Sequence, residues 1–384
     1  MLLFLYLYSE DYMHSGEILS KFFFMPDAGH LIMVCIGFFF IYLAISRKIE
    51  TALFLPFGFG IILMNIPGSD GAEGIFKLLY ETGILNGEVL PLLLFLGIGA
   101  MTDFSPLIQK PGYMLLGIIG QSGIIAAVFL ARCLGYEFND AVSAGIIGAA
   151  DGPTAIVVGT RLNTRYLASV IVASYSYMAL VPLVQPLAIR LLTTKKERKL
   201  SARCVVPPLK KEKLILFPLI AMIVCGILAP KNASLLGFLM LGNLIRECGI
   251  LLGLSKTLST VLVDVVTVLL ALALSLNLRA ENILNTNSLE IMAIGFAAFF
   301  MNISAGIISV KLFNLLAPLL KKEKINPIVG SAANSAFPIS SRVAQTQALK
   351  SRDDNIILSD ALAANCAGQI ATIFSGGILM AIFS

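Results

Sequence analysis

Long apolar runs dominate the pattern of hydrophobic and polar positions along this chain of 384 residues. A helix needs about 20 apolar residues to cross the hydrocarbon core of a bilayer, and ten segments approach that length, although several are short. The pattern therefore predicts an all-α polytopic membrane protein with about ten transmembrane helices. The predicted helices are residues 31–46, 51–66, 88–101, 112–132, 166–193, 214–230, 233–247, 260–278, 288–316 and 356–383.

Two more apolar segments are interrupted, and the first of them is residues 145–159. It carries one acid, Asp151, followed directly by Gly152 and Pro153. Proline lacks a backbone donor and disfavours helical backbone at the preceding residue, so the helix should break at Asp151. A charged side chain at the bilayer centre costs roughly 2.5–3.5 kcal/mol, and a broken helix at membrane depth is tolerated only in a protein interior or a cavity wall. We therefore predict an ion or substrate site at Asp151; the alternative is a surface turn with a solvated carboxylate.

The second interrupted segment, residues 326–342, is small, polar and broken by two prolines. Its hydroxyl, amide and freed carbonyl oxygens are hard ligands that suit an alkali cation when a carboxylate supplies the charge. Arg342 is permanently charged and can bind a carboxylate through two hydrogen bonds, which indicates a role in receiving an anionic substrate. The alternatives stay open: Arg342 as a positive anchor at the membrane surface, and Asn334 and Ser335 as partners in hydrogen bonds between helices.

Composition narrows the class of protein. The chain is 57% hydrophobic and 13% charged, against about 25% charged residues in soluble domains. The net charge of +5 lies in short loops, so we interpret it as a signal of membrane orientation and predict no nucleic-acid partner. The six cysteines are scattered without metal-ligand spacing and are interpreted as small core residues. Residues 1–8 are apolar but short and run into acids, so no cleaved signal peptide is predicted.

The distribution of Lys and Arg predicts how the chain crosses the membrane. Residues 195–213 contain eight Lys and Arg residues and should be cytoplasmic. If residues 195–213 are cytoplasmic, the number of crossings on either side favours two re-entrant segments. The Asp151 segment then enters from the external face, and the segment around Pro338 enters from the cytoplasm. Arg161 and Arg165 count against this topology, because they are then two positive charges left outside.

Two broken segments that enter from opposite sides are typical of inverted-repeat transporters. Segments 91–97 and 235–242 resemble each other in pattern, and each broken segment precedes a span with polar groups. We therefore predict two pseudo-symmetric halves. The acids and glycines of residues 68–88, with one possible amphipathic turn at Ile75, Leu78 and Leu79, predict an external loop that lies on the surface. The predicted divisions are an N-terminal segment 1–28, a first membrane half 29–194 with the Asp151 segment, a basic cytoplasmic linker 195–213 and a second membrane half 214–384.

Four motifs, in this order, resemble the beta subunits of the biotin-dependent sodium-translocating decarboxylases. That family serves oxaloacetate, methylmalonyl-CoA, glutaconyl-CoA and malonate decarboxylation systems, and the similarity runs from about Gly97 to the C-terminus. The chain departs from the family pattern where Asn334 replaces an expected glycine and where Ser340 and Ser341 replace small apolar residues. The motifs are AADGPTAI at 149–156, YSYM at 175–178, GNLIRECG at 242–249 and NPIVGSAANSAFPISSR at 326–342.

The resemblance implies a membrane subunit that decarboxylates carboxybiotin, presented by a separate carrier chain, and couples this step to sodium export with consumption of a proton. It places the membrane-embedded aspartate of the family at Asp151 and its functional tyrosine at Tyr177. The other residues characteristic of the family fall on Asn326, Gly330, Ser335 and Arg342.

These positions give a hypothesis for each residue. Asp151 binds sodium with oxygens from Asn326 and Ser335, while Arg342 orients the carboxylate of carboxybiotin. Tyr177 lies in the proton path. Asn326, Gly330 and Arg342 form the cofactor-binding set, and Asp151, Tyr177, Arg342 and Ser335 form the catalytic set.

From the residues alone, two of the candidate side chains have structural explanations. The structural explanation for Tyr177 is that its hydroxyl forms a hydrogen bond between helices. Asp264, near the beginning of a span, reads as a helix cap or a solvated end.

The implied partners are a biotin carrier subunit, a carboxyltransferase subunit and a small single-span membrane subunit, in a cell-membrane complex that contains lipid and more than one copy of this chain. The sequence has no Met-Lys-Met biotin-attachment signature, no Walker loop and no HExxH motif. The alternative function is a non-enzymatic secondary transporter, such as a sodium/carboxylate symporter or a sodium/proton antiporter. A channel fits less well, because two inverted halves suit alternating access.

Overall fold

A computed structural model describes residues 28–48, 50–66, 70–201, 209–319 and 321–383. The predicted N-terminal segment, apart from Ala28, lies outside the described residues, as do Cys204 and the central part of the linker with Pro207 and Pro208. Within the described ranges the secondary structure is helical, with no strand, which confirms the all-α fold class. The five cysteines of these ranges are free.

The first membrane half consists of helices, most of them joined by short turns. The helices are α1 (Ala28–Arg47), α2 (Thr51–Asn65), α3 (Asp70–Tyr80, continued by a π-helical turn Glu81–Leu85), α4 (Val89–Met101), α5 (Ser105–Gln109), α6 (Tyr113–Gly120), α7 (Ser122–Cys133), α8 (Phe138–Ile147), α9 (Gly152–Arg161) and α10 (Leu167–Leu192).

The linker and the second half are helical as well. They contain α11 (Lys195–Arg198), α12 (Lys211–Leu228), a 3-10 turn (Pro230–Asn232), α13 (Ala233–Cys248), α14 (Leu252–Thr257, continued by a π-helical turn Leu258–Leu262), α15 (Val263–Ser275), α16 (Ala280–Ile283), α17 (Thr286–Leu316), a 3-10 helix (Pro327–Ala332), α18 (Ile339–Ser351) and α19 (Leu358–Phe383).

Six helical segments of the described ranges are long and apolar enough to cross a membrane, or seven if the bent pair Gly74–Leu85 and Val89–Met101 is one span. Each of the ten predicted segments contains helix. The shorter ones, such as Thr51–Asn65, fall below the length of a full crossing. The protein is therefore a multi-pass membrane protein, and the number of ten crossings stays a prediction.

The segment 68–88 differs from its prediction as a surface loop, because from Asp70 onwards it is helical and bends by 64° into α4. Phe76, Tyr80 and Ile84 are buried. Their spacing of four residues places them on one helical face, which packs into the core while the polar residues remain outside.

Helices α8 and α9 form the first hairpin, with Asp151 in the turn between them. Its open end is closed by hydrogen bonds: Asn139 Nδ2 donates to the carbonyl oxygen of Leu162 at 3.0 Å, and Thr164 Oγ1 donates to Asp140 Oδ1 at 2.7 Å. Both ends of the hairpin therefore lie together, beside the beginning of α10.

The segment 327–351 forms the second hairpin, with a 3-10 helix as one arm and α18 as the other. Asn326 Nδ2 donates to the carbonyl oxygens of Arg198 and Leu200, at 3.0 and 2.8 Å. Asn355 Nδ2 also donates to the carbonyl oxygen of Arg198, at 2.9 Å. Both ends of this hairpin therefore lie on the linker, just after α10 ends.

The two hairpins approach each other from opposite ends of α10. This helix has 26 residues, a length of about 39 Å at 1.5 Å per residue. The first hairpin is anchored where α10 begins, and the second is anchored at the linker that follows its last turn. This geometry supports the predicted opposite entry of the two broken segments.

The two look-alike segments 91–97 and 235–242 belong to helices that cross at close range. A Cβ atom at Gly99 would lie 1.9 Å from the carbonyl oxygen of Leu239, and one at Gly242 would lie 2.0 Å from that of Leu96. The glycine follows the contacting carbonyl by three residues on both α4 and α13. A contact that repeats in both directions is what a two-fold relation produces, and it supports the prediction of pseudo-symmetric halves.

Candidate functional site

The tips of the two hairpins meet at Asp151. Ser335 Oγ, from the turn of the second hairpin, donates to Asp151 Oδ2 at 2.7 Å. Thr154 Oγ1 donates to the same oxygen at 2.8 Å, and the Thr154 backbone N–H donates to Oδ1 at 3.4 Å. The Asp151 residue is only 7% exposed. The structure therefore brings two of the predicted site residues into direct contact.

The local sequence explains how Asp151 is held. It is the N-cap of α9, with extended backbone angles of φ −127° and ψ 93°, and Pro153 occupies the first turn. An aspartate at an N-cap accepts from free backbone amides, and the positive end of the helix dipole favours its negative charge. The helix break that the Gly-Pro pair predicts thus positions the carboxylate.

The charge of this site suits a monovalent cation. The described ranges contain no group of three or more His, Cys, Asp or Glu side chains that could hold a metal ion. Two hydroxyls, those of Ser335 and Thr154, donate to the Asp151 carboxylate. One carboxylate with hydroxyl and carbonyl oxygens is a hard oxygen ligand set of low charge.

Two buried asparagines satisfy the backbone carbonyls that the helix breaks set free. Asn302 on α17 donates to the carbonyl oxygen of Gly148 at 2.8 Å, and Asn365 on α19 donates to that of Asn334 at 2.7 Å. The Oδ1 atoms of both asparagines are buried without a hydrogen-bond partner, as is Oε1 of Gln121. Unpaired amide oxygens beside two hairpin tips are available to a cation or to water. Sequence reasoning missed Asn302, although an amide in an apolar span was a usable signal.

The two tyrosines of the YSYM motif occupy different environments. Tyr177 OH donates to the carbonyl oxygen of Met292 at 2.7 Å, and its ring packs against Phe296 and Phe299. Tyr175 instead packs beside the acid, because a Cβ at Gly152 would lie 2.2 Å from its ring, and its buried hydroxyl has no partner. Tyr175 is therefore the tyrosine next to the Asp151 turn, and the resemblance did not point to it.

The remaining predicted residues lie on the second hairpin away from its tip. Asn326 contacts the linker with Nδ2 and accepts from the backbone of Ile328 with Oδ1 at 3.0 Å. Gly330 allows close packing, because a Cβ there would lie 2.0 Å from the carbonyl oxygen of Gly306. Arg342 is exposed in the first turn of α18. The structure thus joins Ser335 to Asp151 and gives Asn326 and Gly330 packing roles.

The two departures from the family pattern are hydrogen-bonded to each other. Asn334 Nδ2 donates to Ser340 Oγ at 2.7 Å, and Ser340 Oγ donates to Gln185 Oε1 at 2.9 Å. Asn334 Oδ1 accepts from the Ala336 backbone at 3.0 Å. The larger side chain at position 334 is therefore matched by a hydroxyl at position 340, and the turn around Ser335 keeps a defined shape.

The two arginines that counted against the predicted topology are both paired. Glu88 accepts two hydrogen bonds from Arg161, each 2.5 Å long, and Glu137 pairs with Arg165. The Glu88–Arg161 pair ties the outer end of the first hairpin to the beginning of α4. Each guanidinium is therefore matched by a carboxylate. The positive-inside rule counts Lys and Arg and not net charge, so both arginines still count against the predicted topology.

Glu88→Gln is expected to lower the stability of the protein by roughly 2 kcal/mol, between the values for surface and fully buried ion pairs. The side chains are 30% and 11% exposed, so the mutation leaves a partly buried Arg161 without its partner. Thermal unfolding in detergent measures the loss. Glu137→Gln is the matched control, because the side chains of its pair are 66% and 65% exposed. An equal loss in both variants would contradict a special role for the Glu88 pair.

Comparisons with known proteins agree over nearly the whole chain. The family model described as the Na+-transporting oxaloacetate decarboxylase beta subunit matches residues 29–383. The methylmalonyl-CoA decarboxylase subunit beta of Veillonella parvula is 41% identical, over 93% of this chain and 94% of the relative. The glutaconyl-CoA decarboxylase subunit beta of Acidaminococcus fermentans is 38% identical, over 92% and 93%. The oxaloacetate decarboxylase beta chain 2 of Salmonella typhi is 36% identical, over 92% and 95%.

The helices and the buried acid between two hairpin tips define a polytopic membrane protein with an internal polar site. The family match covers residues 29–383 and therefore defines a narrower class. The chain belongs to the family of beta subunits of sodium-transporting decarboxylases, which confirms the resemblance seen in the four motifs. The chain is therefore a membrane subunit with a role in a decarboxylase complex.

Proposed function

We propose that this chain decarboxylates carboxybiotin and couples that step to sodium export across the membrane, with consumption of a proton. The observation that carries the proposal is the 2.7 Å hydrogen bond between Ser335 and Asp151. It joins two hairpins that approach from opposite ends of α10. A site held between two such elements can change its access from one side to the other when the hairpins move relative to each other.

In this proposal sodium is the cargo, and Asp151 supplies the charge that binds it. Ser335 and Thr154 supply hydroxyl oxygens, and the unpaired Oδ1 atoms of Asn302 and Asn365 lie on helices next to the two hairpin turns. Asn326 holds the base of the second hairpin on the linker, so its proposed contribution to sodium binding is indirect.

The decarboxylation breaks the bond between the ring nitrogen of biotin and the carboxylate carbon. Carbon dioxide leaves, and the ring nitrogen takes up one proton. Arg342 is the residue proposed to orient the carboxylate, since its guanidinium is exposed in the first turn of α18. Tyr177 is proposed for the proton path, and Tyr175 is a second candidate because it packs against Gly152 beside Asp151.

A polar cavity of about 420 Å³ lies near the outer end of the first hairpin. Its lining includes Gly159 and Thr160 near the outer end of α9 and Asn277 just after α15. The cavity therefore lies at the end of the helix whose other end is capped by Asp151. We propose it as the path by which sodium leaves.

The proposed partners are a biotin carrier subunit, a carboxyltransferase subunit and a small single-span membrane subunit, with more than one copy of this chain in the complex. The relatives are named as subunits of decarboxylases for three different substrates, methylmalonyl-CoA, glutaconyl-CoA and oxaloacetate. This supports a common role for the chain, in which the carboxyl group of carboxybiotin can come from different substrates. The acid is then selected on another subunit.

Radiosodium uptake into inside-out proteoliposomes that contain the chain and its partners tests the proposal, with decarboxylation followed in parallel. Uptake is expected only while decarboxylation proceeds. Ser335→Ala should raise the sodium concentration needed for half-maximal rates of uptake and decarboxylation by about 10- to 100-fold. This factor corresponds to the loss of one hydrogen bond to a charged group. Ser304→Ala is the control, because that hydroxyl donates only within its own helix, to Phe300.

The rival function predicts a different result in the same vesicles. A secondary transporter moves sodium down its gradient with an organic acid or a proton, and it needs no carboxybiotin. Sodium movement by the chain alone, with decarboxylation indifferent to sodium, would overturn the proposal in favour of that transporter.

A further inference from the structure

A strongly basic pocket lies at the linker end of the molecule. It has a volume of about 250 Å³ and is formed by the end of α10, the beginning of the linker and the last turn of α18. No acid lines it. In the ranges that the structure describes, no Asp or Glu forms an ion pair with its five cations. These cations are Arg190, Lys195, Arg198, Lys199 and Lys350.

The acid nearest in sequence, Glu197, is engaged elsewhere. It accepts from the Thr194 backbone at 2.6 Å and pairs with Lys311 at 3.3 Å. Burial alone would raise the pKa of the Glu197 carboxyl, but hydrogen bonds from Thr194 and Lys311 outweigh it and lower the pKa. Glu197 therefore stays ionised against α17 and does not neutralise the pocket.

The beginning of the linker is fixed in place, so the cations are held together. The carbonyl oxygens of Arg198 and Lys199 accept hydrogen bonds from Asn355 and Arg352. The repulsion between five like charges is thus built into the folded protein. An anion in the pocket would relieve it.

An apolar stripe on α10 leads directly to the pocket. Leu183, Leu187 and Leu191 are 70%, 52% and 66% exposed. Their spacing of four residues places them on one face of the helix, and Arg190 lies in the turn where the stripe ends. On a helix long enough to cross a membrane, an exposed leucine stripe is suited to contact with acyl chains.

We propose that this pocket binds the phosphate headgroup of an anionic phospholipid of the cytoplasmic leaflet, with an acyl chain along the leucine stripe of α10. Basic pockets between helices on this side of a membrane suit such headgroups, and Lys and Arg bind phosphate through charge-assisted hydrogen bonds. The bound headgroup bridges α10, the linker and the last turn of α18. It would therefore stabilise the base of the second hairpin.

The leucine stripe is what favours a lipid over an acidic protein surface as the occupant. A protein partner approaches from the aqueous side and gains nothing from Leu187 and Leu183, which lie about one and two turns deeper in the membrane than Arg190. A phospholipid contacts the cations and the stripe together.

The test is a thermal-shift titration of the full chain, purified in detergent, with phosphatidylglycerol, phosphatidylcholine and soluble glycerol phosphate. Phosphatidylglycerol is expected to raise the unfolding temperature, and the other two should have little effect at the same concentration. In the double variant Arg190→Gln, Lys350→Gln, the concentration of phosphatidylglycerol for half the shift should rise roughly thirtyfold, since each cation near an anionic headgroup contributes about fivefold.

A variant with the same loss of charge outside the pocket is the control. Lys213→Gln with Lys256→Gln removes two exposed cations from α12 and α14 and should leave the titration unchanged. Both double variants are also compared without lipid, so that a folding defect is visible. Equal weakening in both, equal shifts with phosphatidylcholine, or an equal effect of glycerol phosphate would each overturn the proposal. So would a loss of carrier or carboxyltransferase binding in the pocket variant while its lipid titration stays normal.

Discussion

Asp151→Asn is expected to abolish both sodium uptake and sodium-dependent decarboxylation in proteoliposomes that contain the partner subunits. Asparagine keeps the size of the side chain and can still accept from Thr154 and Ser335. It lacks the negative charge, and no other carboxylate of the described ranges contacts these two hydroxyls. A cation moved into a low-dielectric site without a counter-charge pays its full desolvation cost, so binding should fail while the fold persists.

The measurement is radiosodium uptake and decarboxylation on the same vesicles, with thermal unfolding as the check on folding. Asp264→Asn is the control, because Asp264 lies in the first turn of α15 and is exposed. That variant should retain both activities, because the hydroxyls of the site donate to Asp151. Asp264 lies in the middle of the continuous helical segment Leu252–Ser275, so the prediction of a helix cap or a solvated end was wrong. Normal sodium-coupled turnover in Asp151→Asn would remove Asp151 from the mechanism.

Gly330→Ala is expected to destabilise the protein by about 3 kcal/mol or more, the upper range for overpacking in a close-packed interior. The added Cβ would lie 2.0 Å from the carbonyl oxygen of Gly306, and a Cβ at Gly306 would lie 2.1 Å from that of Gly330. The obstacle is backbone on both sides, so no side chain can rotate away. The second hairpin would have to shift, and the hydrogen bond from Ser335 to Asp151 would be lost.

Thermal unfolding in detergent, together with the yield of folded protein, measures this effect. Gly237→Ala is the matched control, because it also lies within a helix and nothing stands within 4 Å of its added Cβ. The control should be neutral or slightly stabilising, since alanine favours helix over glycine. A mild effect at Gly330, similar to that at Gly237, would show that the crossing with α17 can open without cost.

Much of the fold was predictable because apolar length and helix-breaking residues are local signals. The Gly152-Pro153 pair predicted the break at Asp151, and the structure shows α9 beginning at Gly152. Residues 70–85 do not form the predicted loop, because Phe76, Tyr80 and Ile84 make a buried helical face among the acids and glycines. Whether short helices cross a membrane cannot be read from their length alone.

The candidate site was predictable where one motif supplied both the break and its chemistry, as for Asp151 and Ser335. The parts that come from distant helices were not. Asn302 contacts the carbonyl oxygen of Gly148 across 154 positions of the chain, and no local pattern announces such a pairing. Asparagine is an oxygen ligand, so the sequence predicts Asn326 at the ion; its side-chain amide hydrogen-bonds to the linker. The sequence does not distinguish Tyr175 from Tyr177, because the difference is the close approach of the Tyr175 ring to Gly152 in the folded protein.

The closure of the second hairpin on the linker bears on how the protein is made. Asn326 and Asn355 bind the carbonyl oxygen of Arg198 from 128 and 157 positions further along the chain. During synthesis, the carbonyl group of Arg198 is therefore made well before the side-chain amides of Asn326 and Asn355 that donate to it. The second hairpin closes against a surface that is already synthesised, so the order of synthesis and the order of closure agree. A second half made alone would lack that surface, and its two asparagine amides would have no carbonyl from the linker to bind.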